Sequence, residues 1–259
     1  MKNTLRLIVS CLCLSALTLH AQSSLLDYWS FQNASNGASL RDVNNSGSIG
    51  SGWNFNTPLD RVNSGRMGFT GDETYTRRAT PTDPIGLNTL GSAFRFEVNF
   101  ASWDLTNVDA ERADNKENKI SFKLSEGSGK TFAQLVLEKD SATTARVRFS
   151  TRLSNDTQFY RDYAVSLTNN TAQTFAVEFL LGGKVNYIVD GTTVHTSTEN
   201  FGGVTEYTET LVVKDFLGEA GNVLELDSFG FIAIPEPAGF ALCFGSFILV
   251  ITVFRLRKF

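Results

Sequence analysis

Cysteine is missing from the part of this chain that could use it. Of three in the sequence, Cys11 and Cys13 lie near the N-terminus and Cys243 in an apolar run near the C-terminus, so residues 22–237 have none. That removes disulfide staples, thiol nucleophiles and thiolate metal sites from the body. Histidine is as scarce, with His20 near the start and His195 in the body. One histidine without cysteine argues against a zinc or other transition-metal site. A Ser-His-Asp arrangement would have to use His195, which sits in the strand-like TTVHTST, and no Gly-x-Ser-x-Gly elbow occurs. Amphipathic helices with caps are also missing from the body.

The two ends stand apart. Residues 1–21, MKNTLRLIVSCLCLSALTLHA, begin with Lys2 and Arg6, run apolar from Leu7 to Leu19 and close on Ala21 before Gln22. A basic start, a short apolar core and a small-residue end mark a secretory signal peptide cut between Ala21 and Gln22. The core is shorter than the roughly 20 residues that a bilayer crossing asks for. Residues 238–254, AGFALCFGSFILVITVF, are 17 uncharged positions followed by Arg255, Arg257 and Lys258. That length is near the lower limit for a transmembrane helix, and the basic cluster puts the C-terminus in the cytoplasm.

Positive charge is in deficit too. With Lys2, Arg6, Arg255, Arg257 and Lys258 set aside, 18 of the 23 basic residues remain against 27 acidic ones, a net of −9. Such a surface argues against nucleic acid and anionic lipid as partners of the body. What the body does have is alternation at period two. It runs through Phe94, Phe96, Val98 and Phe100; Ile120, Phe122 and Leu124; Val147 and Phe149; Tyr163, Val165 and Leu167; Phe175, Val177, Phe179 and Leu181; and Val185, Tyr187 and Val189. This pattern gives each strand one buried face. Gly182-Gly183 and Asp190-Gly191 supply turns. About a dozen short antiparallel strands predict an all-β sandwich of the jelly-roll kind. The expected layout is a signal peptide at 1–21, the sandwich at 22–233, and a tail at 234–259 that carries the transmembrane helix. Two stretches break the rhythm: the Gly/Asn/Ser/Thr-rich 33–90 and the charge-dense 104–118. Long loops of this kind are either binding surfaces or tolerated insertions.

The opening SLLDYWSFQNASNG…LRDVNNSG resembles the first strand of the concanavalin A-like, laminin-G-type jelly-roll superfamily, and KVNYIVDGTTVHT resembles its Asp-Gly hairpin. Enzymes on that architecture use paired carboxylates on one strand face. The matching residues here are Glu225 and Asp227, but the pattern's further glutamate is replaced by Ser228, Phe229 and Gly230. A terminal strand with its acids facing solvent is the plainer reading. Calcium is the metal left open, because it takes oxygen ligands, with Asp27 and Asp227, and the loop acids Asp104, Asp109 and Asp114, as candidates. Carbohydrate contacts would need exposed aromatics beside amides and carboxylates, and Trp53, Trp103 and Tyr160 lie in or beside loops. Trp29 alternates with Phe31 and reads as core.

Pro235-Glu236-Pro237, the apolar span and Arg255, Arg257 and Lys258 together resemble the PEP-CTERM sorting signal of Gram-negative bacteria. The resemblance implies recognition by a membrane-embedded exosortase-type transpeptidase, cleavage near the tripeptide, and a transient inner-membrane anchor with the body outside. The function expected is that of a non-catalytic surface or matrix protein that binds exopolysaccharide. A glycoside hydrolase or lyase using Glu225 and Asp227, and a purely structural surface protein, stay open beside it.

Overall fold

A computed structural model of the chain describes residues 24–48, 51–53, 60–70, 74–81, 85–87, 93–108, 118–126, 130–152, 157–201, 206–215 and 222–234. The expected signal-peptide site, sorting motif and C-terminal helix fall outside these residues. The first strands are β1 (Ser24–Ser30), β2 (Gly52–Trp53), β3 (Arg61–Asn63), β4 (Arg66–Thr70), β5 (Thr74–Thr80) and β6 (Ile85–Gly86). The middle ones are β7 (Ala93–Asp104), β8 (Lys119–Glu126), β9 (Lys130–Lys139), β10 (Ala145–Arg152), β11 (Gln158–Val165) and β12 (Thr168–Asn169). The last are β13 (Gln173–Phe179), β14 (Val185–Val189), β15 (Thr192–Thr196), β16 (Glu206–Tyr207), β17 (Glu209–Asp215) and β18 (Asn222–Ile234).

Among the described residues, sheet A runs β15-β14-β13-β7-β18-β4-β3, with β1 also on β18 and β12 on β7. Sheet B runs β11-β10-β9-β8-β17-β5-β2, and β16 and β6 form a separate pair. The pairs β10–β11, β9–β10, β13–β14, β7–β13, β5–β17, β8–β17, β4–β18 and β8–β9 are antiparallel. The expected all-β antiparallel sandwich is the observed fold, and Leu25–Ala233 forms one compact unit.

The alternation in the sequence sets which faces meet. Phe96, Val98, Phe122, Leu124, Val147, Phe149, Phe175 and Val177 are all fully buried between the sheets. Rings join the layers: Phe122 of sheet B lies 5.3 Å from Phe229 of sheet A, and Phe149 lies 6.1 Å from Phe175. Asp190 (φ 49) and Gly191 (φ 77) both turn left-handed, which fits the tight β14–β15 hairpin. Gly230 lets β18 meet β1, because a Cβ there would stand 2.4 Å from the Asp27 carbonyl oxygen.

Two expectations need correction. The stretch 33–90 is not simply irregular, for it holds β2 to β6. Its hairpin turns on Ser64 (φ 51) and Gly65 (φ 77). In β5, TYTRRAT, only Tyr75 and Ala79 are buried, so no apolar alternation marks the strand. Leu181 belongs to the turn after β13 and is 56% exposed rather than inward.

Candidate functional site

The β11–β12–β13 connection crosses from sheet B to sheet A, and its sequence, AVSLTNNTAQT, is mostly small and polar. Beside it opens a cleft of about 540 Å³, within the size range of small-ligand sites. Tyr163 is its aromatic wall and Trp103 lies at its base, with Asn169, Gln173 and Asp190 as its polar end. Hydroxyls of Thr143, Ser166, Thr168 and Thr171 complete the lining. No Lys, Arg or His is among these residues.

The polar end is pre-set by hydrogen bonds. Asn169 Oδ1 accepts from the Thr171 amide (3.0 Å) and hydroxyl (2.8 Å), which turns the chain and aims Asn169 Nδ2 at Gln173 Oε1 (3.5 Å). Gln173 Nε2 donates to Asp190 Oδ2 (3.2 Å), while Asp190 Oδ1 accepts the Thr174 amide (2.8 Å). Amides, hydroxyls and one carboxylate beside a ring can meet the alternating hydroxyl and C–H faces of a sugar. The sequence places Tyr163 in the core-facing set, and its ring does pack on the core, 6.0 Å from Phe175, while also lining the cleft; Asn169, Gln173 and Asp190 are not singled out by the sequence as ligand contacts. The polar run TNNTAQT between two strong strands was the available signal.

The predicted carbohydrate aromatics divide. Trp103 does line the cleft, but it is 2% exposed, donates Nε1–H to the Ser166 carbonyl (2.9 Å) and packs edge-on against Phe100. It is a rigid base rather than a stacking platform. Trp53 is core, 6% exposed and 5.0 Å from Trp29, so its place beside a loop was misleading. Tyr160 is 54% exposed on the outer face of sheet B. His195 is half-buried and stacks on Phe159 and Tyr187.

Glu225 and Asp227 do share a face, as alternation required. Both meet one guanidinium: Arg66 reaches Glu225 at 3.5 Å and Asp227 at 3.2 Å, and Ser102 donates to Glu225 (3.2 Å). Neither lines the cleft. Elsewhere on sheet A the Tyr28 hydroxyl sits among Ser228, Asn99 and Glu97. Burial, ahead of its other influences, pushes this phenol up to about 12, so it stays protonated.

Of the calcium candidates, Asp27 and Asp227 face opposite ways. Asp227 is on the outer face with Arg66, whereas Asp27 is fully buried and accepts from Tyr207, Asn45 and Ser51. Asp104 accepts from Thr106, and Asp109 and Asp114 lie outside the described residues. Among the described residues no group of three or more acids or histidines is placed to hold a metal.

Burial pushes the Asp27 carboxyl above its ordinary 3.8, against the opposing hydrogen bonds from Tyr207, Asn45 and Ser51. An acid whose value rises on folding gives stability that is fully present below its unfolded value and is lost as pH climbs through the folded one. The stability of the wild type relative to Asp27→Asn should therefore fall as pH is raised above about 4, followed by urea unfolding at each pH. A difference that grows with pH would contradict this.

No protein-family model matches the chain, and no curated protein sequence does. Solved structures do match in fold. The botulinum neurotoxin serotype D binding domain has a TM-score of 0.55 at 8% identity over 87% of this chain and 51% of its own. The serotype G binding domain gives 0.53 at 7% identity over 85% and 50%. The serotype D ligand binding domain in complex with N-acetylneuraminic acid gives 0.52 at 7% identity over 86% and 51%. The chain thus spans about half the length of these structures, and the likeness is one of fold.

Proposed function

We propose that this chain is an exported, non-catalytic β-sandwich that binds a neutral glycan in the β11–β13 cleft. The observation that carries the reading is the lining itself: an aromatic wall, two amides, several hydroxyls and one carboxylate, with no cation. One similar fold, the serotype D ligand binding domain, is complexed with N-acetylneuraminic acid, so a related sandwich holds a sugar. That sugar carries a carboxylate. Here Asp190 would repel it and no lining residue would pair with it, which favours an uncharged saccharide.

Delivery rests on the two ends. In this proposal residues 1–21 direct export and are removed after Ala21. Pro235, Glu236 and Pro237 then present the tail to an exosortase-type enzyme while residues 238–254 hold it in the inner membrane. The working body is left at the cell surface or in the extracellular matrix, beside exopolysaccharide. Pro235 and Pro237 suit this part of the proposal, since proline lacks an amide donor and disfavours helix in the residue before it.

Affinity electrophoresis of the full-length protein in mild detergent against neutral polysaccharides tests the binding. Retention is expected, and Asn169→Ala should weaken it about two- to ten-fold, the worth of one or two hydrogen bonds. Glu225→Gln with Asp227→Asn should leave retention unchanged, and neither form should cleave the polysaccharide. Cleavage by the wild type that the double variant abolishes would replace this reading with the hydrolase. Absence of retention on every polysaccharide would favour a purely structural protein.

A further inference from the structure

The cleft does not stop at its own lip. Its wall includes Ala164, whose side chain is too small to close that side. Along β11 the positions two apart from Ala164 are Asp162, Tyr160 and Gln158, and strand geometry puts this row on the outer face, opposite Tyr163, so the path from the cleft to the row turns over the edge of the strand at Ala164. β11 is the edge strand of sheet B among the described residues, with its pairing to β10 on one side. At a rise of about 3.4 Å per residue, Tyr160 lies about 14 Å from Ala164.

The row is built for polar contact. Tyr160 is the exposed aromatic among the described residues, at 54%. Its hydroxyl donates to Gln158 Oε1 (2.8 Å), which also accepts from Ser150 (3.3 Å), and Gln158 Nε2 donates to the Thr131 carbonyl (3.3 Å). The Arg148 guanidinium stands 5.7 Å from the ring centroid and is itself tied to Asp162 at 2.8 Å. A ring fixed by its own hydroxyl and a neighbouring cation loses little freedom when a ligand lies on it. The intervening charges are neutralised: Asp162 serves Arg148 and Arg146, and Arg146 also meets Asp140 at 2.6 Å.

From this juxtaposition we infer that the ligand is a chain rather than a single sugar, seated by one end in the cleft and laid along β11 so that a later residue stacks on Tyr160. This rests on the cleft reading above and names the class of ligand for it: a neutral oligosaccharide or polysaccharide long enough to span the distance from the cleft to Tyr160. A monosaccharide would fill the cleft and leave the tyrosine untouched.

Calorimetric titration of the full-length protein with cello-, laminari-, xylo- and manno-oligosaccharides of increasing length tests it. For the series that binds, affinity should climb with length until Tyr160 is reached and then level off. Tyr160→Ala should leave the shortest binding oligomer unaffected and weaken the longest about five- to ten-fold, removing the climb. Tyr160→Phe, which keeps the ring, should restore most of it. If Tyr160→Ala leaves the length dependence intact while Asn169→Ala still weakens short oligomers, the chain inference falls and the cleft stands. If Asn169→Ala changes no oligomer, the cleft reading fails and takes this inference with it.

Discussion

Lys214→Met is expected to destabilise the body by about 3–5 kcal/mol, since it leaves a buried carboxylate without its cation. Lys214 and Asp60 are both 0% exposed, with Nζ 2.9 Å from Oδ1. The ammonium also donates to the Thr70 carbonyl (3.0 Å) and stands 4.8 Å from the centre of the Tyr75 ring. Asp60 in turn accepts the Thr70 amide (2.9 Å) and the Tyr75 hydroxyl. Lys214 comes from β17 of sheet B, and Asp60 and Thr70 flank the β3–β4 hairpin of sheet A, so the cluster ties the sheets together. For a domain of this length each kcal/mol moves Tm by about 2–4 °C, so a drop near 10 °C is expected by calorimetry. Pairing the change with Asp60→Asn removes the stranded charge but keeps an acceptor for Thr70. That double variant should recover at least half the loss, a coupling that independent sites would not show. A single variant as stable as the wild type would refute the role given to the pair.

Phe229→Ala should cost a similar amount, about 3–5 kcal/mol, for a different reason. Phe229 is fully buried where four other rings converge: Trp29 at 5.1 Å, Phe122 at 5.3 Å, Trp53 at 6.0 Å and Phe31 at 6.1 Å surround it. Phe122 belongs to sheet B and the strand of Phe229 to sheet A, so the cavity would open between layers that regular strands hold apart. The surrounding rings are themselves locked by neighbours and can collapse only partly into the space. Loss of near-ultraviolet circular dichroism from Trp29 and Trp53 should accompany the lower Tm. Tyr160→Ala, on the exposed face, is the matched control and should change stability by no more than about 0.5 kcal/mol.

These two sites show what the sequence could and could not convey. The apolar half of the sandwich was legible because Phe94 to Phe100, Ile120 to Leu124 and Phe175 to Phe179 alternate without interruption, and Trp29 with Phe31 took the inward places assigned to them. The polar half was hidden. In β17, ETLVVKD, the inward positions are Thr210, Val212 and Lys214, while Leu211 and Val213 are only half-buried. Alternation read alone would turn that strand over. The partners that make a buried lysine tolerable, Asp60 and Tyr75, come from more than 130 positions earlier in the chain. Asp27 is similar, since its partner Tyr207 is 180 positions away. The cleft was hidden for the same reason. Tyr163, Asn169 and Gln173 are near in sequence, but Asp190 joins them only through the β13–β14 hairpin, and Trp103 only through the pairing of β12 with β7.

The central claim is that a neutral glycan sits in the cleft between β11 and β13. Its most direct test is backbone amide chemical-shift mapping of the isotope-labelled protein during titration with the oligosaccharide that electrophoresis retains best. Saturable shifts at Tyr163, Asn169, Gln173 and Asp190, extending to Tyr160 as the oligomer lengthens, are the predicted result. Shifts confined to Glu225, Asp227 and their neighbours on the outer face of sheet A would contradict it.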